Sequence, residues 1–162
     1  MKRMVLTLIA LMCVAGMARA VDFINTSGDY KFSTATNWAT GVIPAEWDDI
    51  GVDNINYPQS NPALVDTGFT TTNLSSITVR CDGGTHLRIE DGAQLISGHR
   101  TGYDEILTLG YGGTNPGRND DWGKLIVADG GYLETGWRFN IGLHTNLPVN
   151  SALVMEGANR SA

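Results

Sequence analysis

A nine-residue segment occurs twice in this chain. Leu87-Arg88-Ile89-Glu90-Asp91-Gly92-Ala93-Gln94-Leu95 returns as Leu125-Ile126-Val127-Ala128-Asp129-Gly130-Gly131-Tyr132-Leu133. The shared frame is Leu, any residue, Ile or Val, any residue, Asp, Gly, a small residue, any residue, Leu. A partial third copy opens at Leu153-Val154-Met155-Glu156-Gly157, and a second element recurs in phase: Thr108-Leu109-Gly110-Tyr111-Gly112 and Asn140-Ile141-Gly142-Leu143-His144 each follow a copy. Self-similarity at a few tens of residues marks a solenoid or an array. One such unit is too small to enclose its own apolar face and must stack on the next.

The alternation inside the unit says which side chains stacking encloses. In extended chain Leu87, Ile89 and, beyond the turn, Leu95 point one way, while Arg88 and Glu90 point the other. Each Leu or Ile covered by the next layer contributes about 1.5–3 kcal/mol. Asp-Gly supplies a turn whose glycine takes positive φ. The same dipeptide also closes hairpins, so two all-β architectures compete. The preferred one is a single-stranded parallel β-helix, a β-solenoid, because the turn glycines stay in register between copies. The alternative is an antiparallel β-sandwich.

Nothing after Ala20 keeps apolar residues at helical spacing for three turns, and the glycines there gather at turns between short β-branched runs. Strands are expected near 77–81, 87–90, 93–97, 106–109, 124–128, 132–135, 139–143 and 152–156. Residues 21–75 are less regular and rich in aromatics and prolines. The expected organisation is a signal peptide over 1–20, an irregular N-terminal cap over 21–75 and stacked repeats over 76–162, with the chain the N-terminal part of a longer protein.

The first 20 residues have the three-part layout of a secretory leader. Lys2 and Arg3 precede an apolar stretch over 5–17, and Ala18-Arg19-Ala20 places small residues where a signal peptidase reads them. The apolar stretch falls short of the ~20 residues of a membrane span. Cleavage is expected after Ala20, with Ala18 and Ala20 as the recognised positions. It removes Cys13 and leaves Cys81 as the single cysteine, so no internal disulfide staples the mature chain. The formal net charge of the whole chain is −6. The leader carries Lys2, Arg3 and Arg19 and no acid, so the remainder is more acidic still. That balance argues against nucleic acid and anionic membranes as partners. The mature chain is expected to be secreted or held at a bacterial cell surface, with no transmembrane segment.

Asn37-Trp38-Ala39-Thr40-Gly41-Val42-Ile43-Pro44, followed by Asp48, resembles the opening of large bacterial secreted β-helix surface proteins. These are autotransporter passenger-like chains and proteins of the PEP-CTERM type found in planctomycetes, verrucomicrobia and their relatives. In that group an aromatic opening precedes coils of the form Leu-x-Val-x-Gly/Asp-Gly-Gly-x-Leu. Phe32 stands where tryptophan is common. The likeness covers residues 29–48, 87–95 and 125–133, and it implies architecture more than activity. A C-terminal barrel and a sorting helix with a basic tail, both seen in the group, are not found within the 162 residues.

Asp48, Asp49 and Asp53 form an acidic cluster whose oxygens would suit calcium. Their spacing lacks the loop pattern of an EF-hand, and a solvated acidic loop is the preferred reading. Asn119-Asp120-Asp121 reads first as a surface loop. Tyr30, Phe32, Trp38, Trp47, Trp122 and Trp137 are numerous for a small chain. Trp38 is expected in the core. Trp122, in a polar stretch, and Trp137, between Gly136 and Arg138, are the aromatics placed to stack on sugar rings. His86, His99 and His144 lack metal-ligand spacing, and no Gly-x-Ser-x-Gly elbow is present. No cofactor is required. The expected role is an extracellular structural β-solenoid segment without catalytic activity. The alternative is a carbohydrate-binding module with polysaccharide or cell-surface components as partners.

Overall fold

Short runs alternating apolar with polar residues become strands, and the turn dipeptides between them set where each strand stops. The computed structural model describes residues 20–53, 61–80, 86–98, 106–111, 123–136, 138–143 and 151–157. The leader through residue 19, Cys81, Trp122, Trp137 and the Asn119-Asp120-Asp121 stretch lie outside the described residues. The strands are β1 (Ala20–Asp22), β2 (Asp49–Asp53), β3 (Ala63–Val65), β4 (Ser76–Arg80), β5 (His86–Ile89), β6 (Gln94–Ser97), β7 (Ile106–Tyr111), β8 (Lys124–Val127), β9 (Tyr132–Thr135), β10 (Arg138–Leu143) and β11 (Ala152–Met155). The helical content among the described residues is one 3-10 turn, Ala35–Asn37. The chain is all-β.

Among the described residues the strands form three open sheets, with strand orders β1-β2-β4-β7-β10, β3-β5-β8-β11 and β6-β9. Every ladder among the described residues is parallel. From β4 onward the chain visits the sheets in fixed rotation: β4, β5, β6, then β7, β8, β9, then β10 and β11. Neighbours within a sheet are therefore distant in sequence. Consecutive strands such as β5 and β6 lie in different sheets.

The antiparallel pairing expected of the alternative sandwich is confined, among the described residues, to one bridge between Phe23 and Trp38. The turn geometry explains why. The N–H groups of Phe69, Ala93 and Gly131 donate to the carbonyls of Asp66, Glu90 and Ala128. Gly68, Gly92 and Gly130 have φ of 76, 69 and 82°, while Thr67, Asp91 and Asp129 are not among the residues with positive φ. Positive φ at the third turn position alone defines a type II turn. Two-residue hairpins favour primed turns, whose positive φ begins at the second position. Asp-Gly here makes corners.

Gly130 is the tightest of these corners. Besides its φ of +82°, a Cβ would lie 1.9 Å from Asp91 Oδ1 in the stacked turn. Gly130→Ala is expected to destabilise the fold by about 1–2 kcal/mol, read as a lower urea midpoint. Gly157→Ala, where nothing lies within 4 Å, should leave the midpoint unchanged.

The parallel register turns each inward position into a row running through successive layers. One row is Val21, Ile50, Ile77, Leu107 and Phe139. Others are Val52, Val79, Leu109 and Ile141; Ala63, Leu87, Leu125 and Leu153; and Val65, Ile89, Val127 and Met155. Leu95 lies beside Leu133. Buried members of all three sheets join one core cluster. The two full copies of the repeat thus sit side by side, Leu87 on Leu125 and Ile89 on Val127, and the third copy follows through Leu153. The recurring element aligns too, Thr108 on Asn140 and Leu109 on Ile141.

Residues 49–65 were expected to be irregular, yet β2 and β3 pair in parallel with β4 and β5. Ile50 and Val52 alternate as an enclosed strand should. Gly51 between them has Asp22 over it, with Asp22 Oδ1 2.7 Å from where a Cβ would lie.

Among the described residues one buried polar side-chain atom lacks a hydrogen-bond partner. Ser97 is fully enclosed, and its Oγ has no hydrogen-bond partner. A buried unsatisfied hydroxyl costs roughly 1–3 kcal/mol. Ser97→Ala is therefore expected to raise thermal stability slightly, by about 1 kcal/mol. A lower melting temperature would mean that the hydroxyl has a partner in solution.

Candidate functional site

On β6 and β9 the alternation that turns Leu95 and Leu133 toward the core turns their neighbours outward. Gln94 pairs with Tyr132 and Ile96 with Glu134, and Thr70 bridges to Gln94 on the other side. Thr70, Gln94 and Tyr132 are all exposed and form one row across adjacent strands. Strands in a ladder lie about 4.8 Å apart, so the row is a flat strip of hydroxyl, amide and aromatic ring. The Tyr132 side is 48% exposed, and its phenol donates to Glu134 Oε2 at 2.7 Å. That bond, then the carboxylate's charge, pushes the Tyr132 phenol above its ordinary value. The bond to Glu134 orients the ring, which remains exposed. Such a strip can stack on a sugar ring and hydrogen-bond its hydroxyls; it offers no activated nucleophile.

The acids singled out from the sequence go to separate tasks. Asp48 is buried, and its Oδ2 accepts from the N–H of Ala45 at 2.8 Å, while its own N–H donates to the Ala45 carbonyl at 3.2 Å. It closes a turn rather than facing solvent, because that turn must satisfy its own backbone groups. Asp49 Oδ1 accepts from Ser76 Oγ at 2.7 Å on the neighbouring strand. Asp53 ends β2 opposite Arg80. Among the described residues no three His, Cys, Asp or Glu side chains gather around a point that could hold a metal ion. Ala20 begins β1, paired with Asp49; Ala18, Trp122 and Trp137 lie outside the described residues.

The aromatic opening forms the plug at one end of the stack. Phe23, Phe32 and Trp38 are buried and meet with ring centroids 4.7–5.3 Å apart. Trp38 Nε1 donates to the Phe32 carbonyl at 2.9 Å, giving the indole the partner a buried N–H needs. Beside it, fully buried Asn37 donates from Nδ2 to the Lys31 carbonyl at 3.0 Å and accepts on Oδ1 from Ser27 N at 2.9 Å. Tyr30 and Trp47 adopt φ of 63 and 70°, conformations that side chains of this size seldom take.

Asp29 ties this loop together. Partial burial acts to raise its pKa, but hydrogen bonds from Thr34 Oγ1, Ser27 Oγ, the Lys31 N–H and Asn37 Nδ2 outweigh it and hold the carboxyl well below the usual range. A depressed folded pKa contributes stability above the unfolded value, about 3.9, and loses it as pH falls through the folded one. The stability gap between the native chain and Asp29→Asn is therefore expected to be constant above about pH 5 and to shrink below about pH 4. Urea titrations at a series of pH values would show it.

Sequence reasoning named two tryptophans as sugar-facing and passed over Tyr132. The signal was present: Gly131-Tyr132-Leu133 puts Tyr132 outward as soon as Leu133 is read as enclosed.

Comparison with protein-family models, curated proteins and solved structures gives no match.

Proposed function

We propose that this chain is an extracellular structural segment, a parallel β-solenoid exported through its N-terminal leader and carrying no catalytic activity. The observation that carries the reading is the fixed rotation of the chain through three parallel sheets, with inward rows forming one core. That arrangement extends by adding layers, and it spaces and displays its outer faces without needing a reactive site. The acidic balance suits solubility outside the cell. No helix of the described residues is long and apolar enough to cross a membrane. The test is expression with a C-terminal tag in a Gram-negative host. The reading expects the chain outside the cytoplasm with Val21 at its N-terminus; an intact chain retained in the cytoplasm would overturn it.

A second reading, a carbohydrate-binding module, is favoured by one observation, the pinned and exposed ring of Tyr132 in the row with Gln94 and Thr70. A glycan array probed with the native chain and Tyr132→Ala tests it. Binding lost on substitution supports the module. Absence of binding to every glycan leaves the scaffold alone.

A further inference from the structure

The exposed row Thr70, Gln94 and Tyr132 crosses its strands, so it runs along the stacking direction with one side chain from each layer. The main chain fixes that alignment. Gln94 N–H donates to the Phe69 carbonyl and Tyr132 N–H to the Ala93 carbonyl, both at 2.9 Å. Two positions before each member stands a corner glycine, Gly68, Gly92 and Gly130. Apart from chain neighbours, no atom lies within 4 Å of the Cβ position at Gly68, and at Gly92 the nearest is the Gly68 nitrogen at 3.9 Å. The row is therefore bordered by bare backbone there. Over Gly130 stands the carboxylate of Asp91. On the other side of the row lie Ile96 and Glu134, and Glu134 Oε2 holds the Tyr132 phenol at 2.7 Å.

We infer that this row binds a neutral, extended polysaccharide laid along the stack, one sugar to a layer. The inference rests on the carbohydrate-binding reading above and adds the class of glycan, its direction and its register. Layers repeat about every 4.8 Å. A pyranose with equatorial linkages at both ends advances its chain by close to that length, in a flat ribbon. An α-1,4-linked glucan coils and would leave the row after one sugar. Two steps separate Thr70 from Tyr132, so a small mismatch in repeat has little room to accumulate. The Tyr132 ring takes the apolar face of one sugar. The Gln94 amide, both donor and acceptor, meets hydroxyls of the second, and the Thr70 hydroxyl meets the third. Charge selects among such ribbons. Asp91 and Glu134 place a carboxylate on either side of the Tyr132 position, where each accepts from sugar hydroxyls and repels a uronate or a sulfate. The net charge of −6 acts in the same direction.

The experiment is a nuclear magnetic resonance titration of the exported chain with β-1,4-linked oligosaccharides of glucose, mannose and N-acetylglucosamine, each of one, two and three sugars. Maltotriose and trigalacturonate are the controls. The inference expects at least one β-1,4 series in which the dissociation constant falls roughly tenfold or more from one sugar to three, and much weaker binding of both controls. Tyr132→Ala should weaken every length. Gln94→Ala should leave the monosaccharide unchanged and remove the gain on adding the second sugar, and Thr70→Ala should remove the gain on adding the third alone. Val42→Asp, at a residue 56% exposed in the cap, should bind as the native chain does. All three row positions are exposed, and circular dichroism checks that each variant keeps the fold. Equal affinity for one sugar and three, maltotriose or trigalacturonate binding as well as the β-1,4 trisaccharides, or a Gln94→Ala variant with the native length dependence would each overturn this inference and leave the carbohydrate-binding reading standing. Binding to no sugar at all would overturn both.

Discussion

Trp38→Ala is expected to lower stability by about 3–5 kcal/mol, a large part of the 5–15 kcal/mol that a domain of this size has in total. The indole is 1% exposed and meets Phe23 and Phe32 edge-on at centroid distances of 5.2 and 4.7 Å. Its removal leaves a hole next to the first core layer and also leaves the Phe32 carbonyl without its donor. The neighbours cannot close over the gap easily, because Phe23 and Phe32 are held on either side by main-chain bonds, Phe23 N–H to the Gly51 carbonyl at 2.9 Å and Phe32 N–H to the Leu64 carbonyl at 2.8 Å. The melting temperature should fall by roughly 10 °C or more. Trp38→Phe keeps most of the volume and should lose much less. If the two variants melted alike, the plug would be contributing through its indole N–H and not through packing.

Leu125→Ala is expected to cost about 2–5 kcal/mol. Leu125 is fully buried, with Leu87 on the strand before it and Leu153 on the strand after. It is the middle of its row, so truncation removes contacts to two layers at once. In a hairpin or a sandwich the same residue would face a different set of neighbours, and its loss would not be coupled to both copies of the repeat. A double-mutant cycle with Leu87 makes this specific. Residues in contact couple by about 0.5–3 kcal/mol, whereas distant ones add. Leu87→Ala and Leu125→Ala, thirty-odd positions apart in sequence, should therefore be non-additive. A control pair, Leu125→Ala with Trp38→Ala, draws on opposite parts of the stack and should add.

What could be read from the sequence follows from how much each feature is repeated. The eight strands from β4 to β11 lie where alternation placed them, shifted by a residue or two at their ends. The repeated frame also set the register, since Leu87 and Leu125 occupy the same place in their copies and are paired. Ile50 and Val52 carry the same alternation but over a strand bounded by Asp49 and Asp53, without a turn glycine in the frame, so nothing announced β2. Asp91-Gly92 was ambiguous because the dipeptide fits a hairpin and a corner alike. The difference lies in the φ of Asp91, a backbone angle that composition does not report. The acids at 48 and 49 looked like a cluster because they adjoin in sequence. In the fold Asp48 closes a turn on Ala45 and Asp49 meets Ser76. Tyr132 was legible in principle, because the inward Leu133 beside it turns it outward.

From β4 onward, strands distant in sequence lie side by side in parallel while consecutive ones lie in different sheets. Nuclear Overhauser contacts between backbone protons measure that directly. The account predicts cross-peaks in parallel register between β5 and β8, with Arg88 beside Ile126, and again between β8 and β11, with Ile126 beside Val154. Cross-peaks joining β5 to β6 across Asp91-Gly92 in an antiparallel pattern would contradict it.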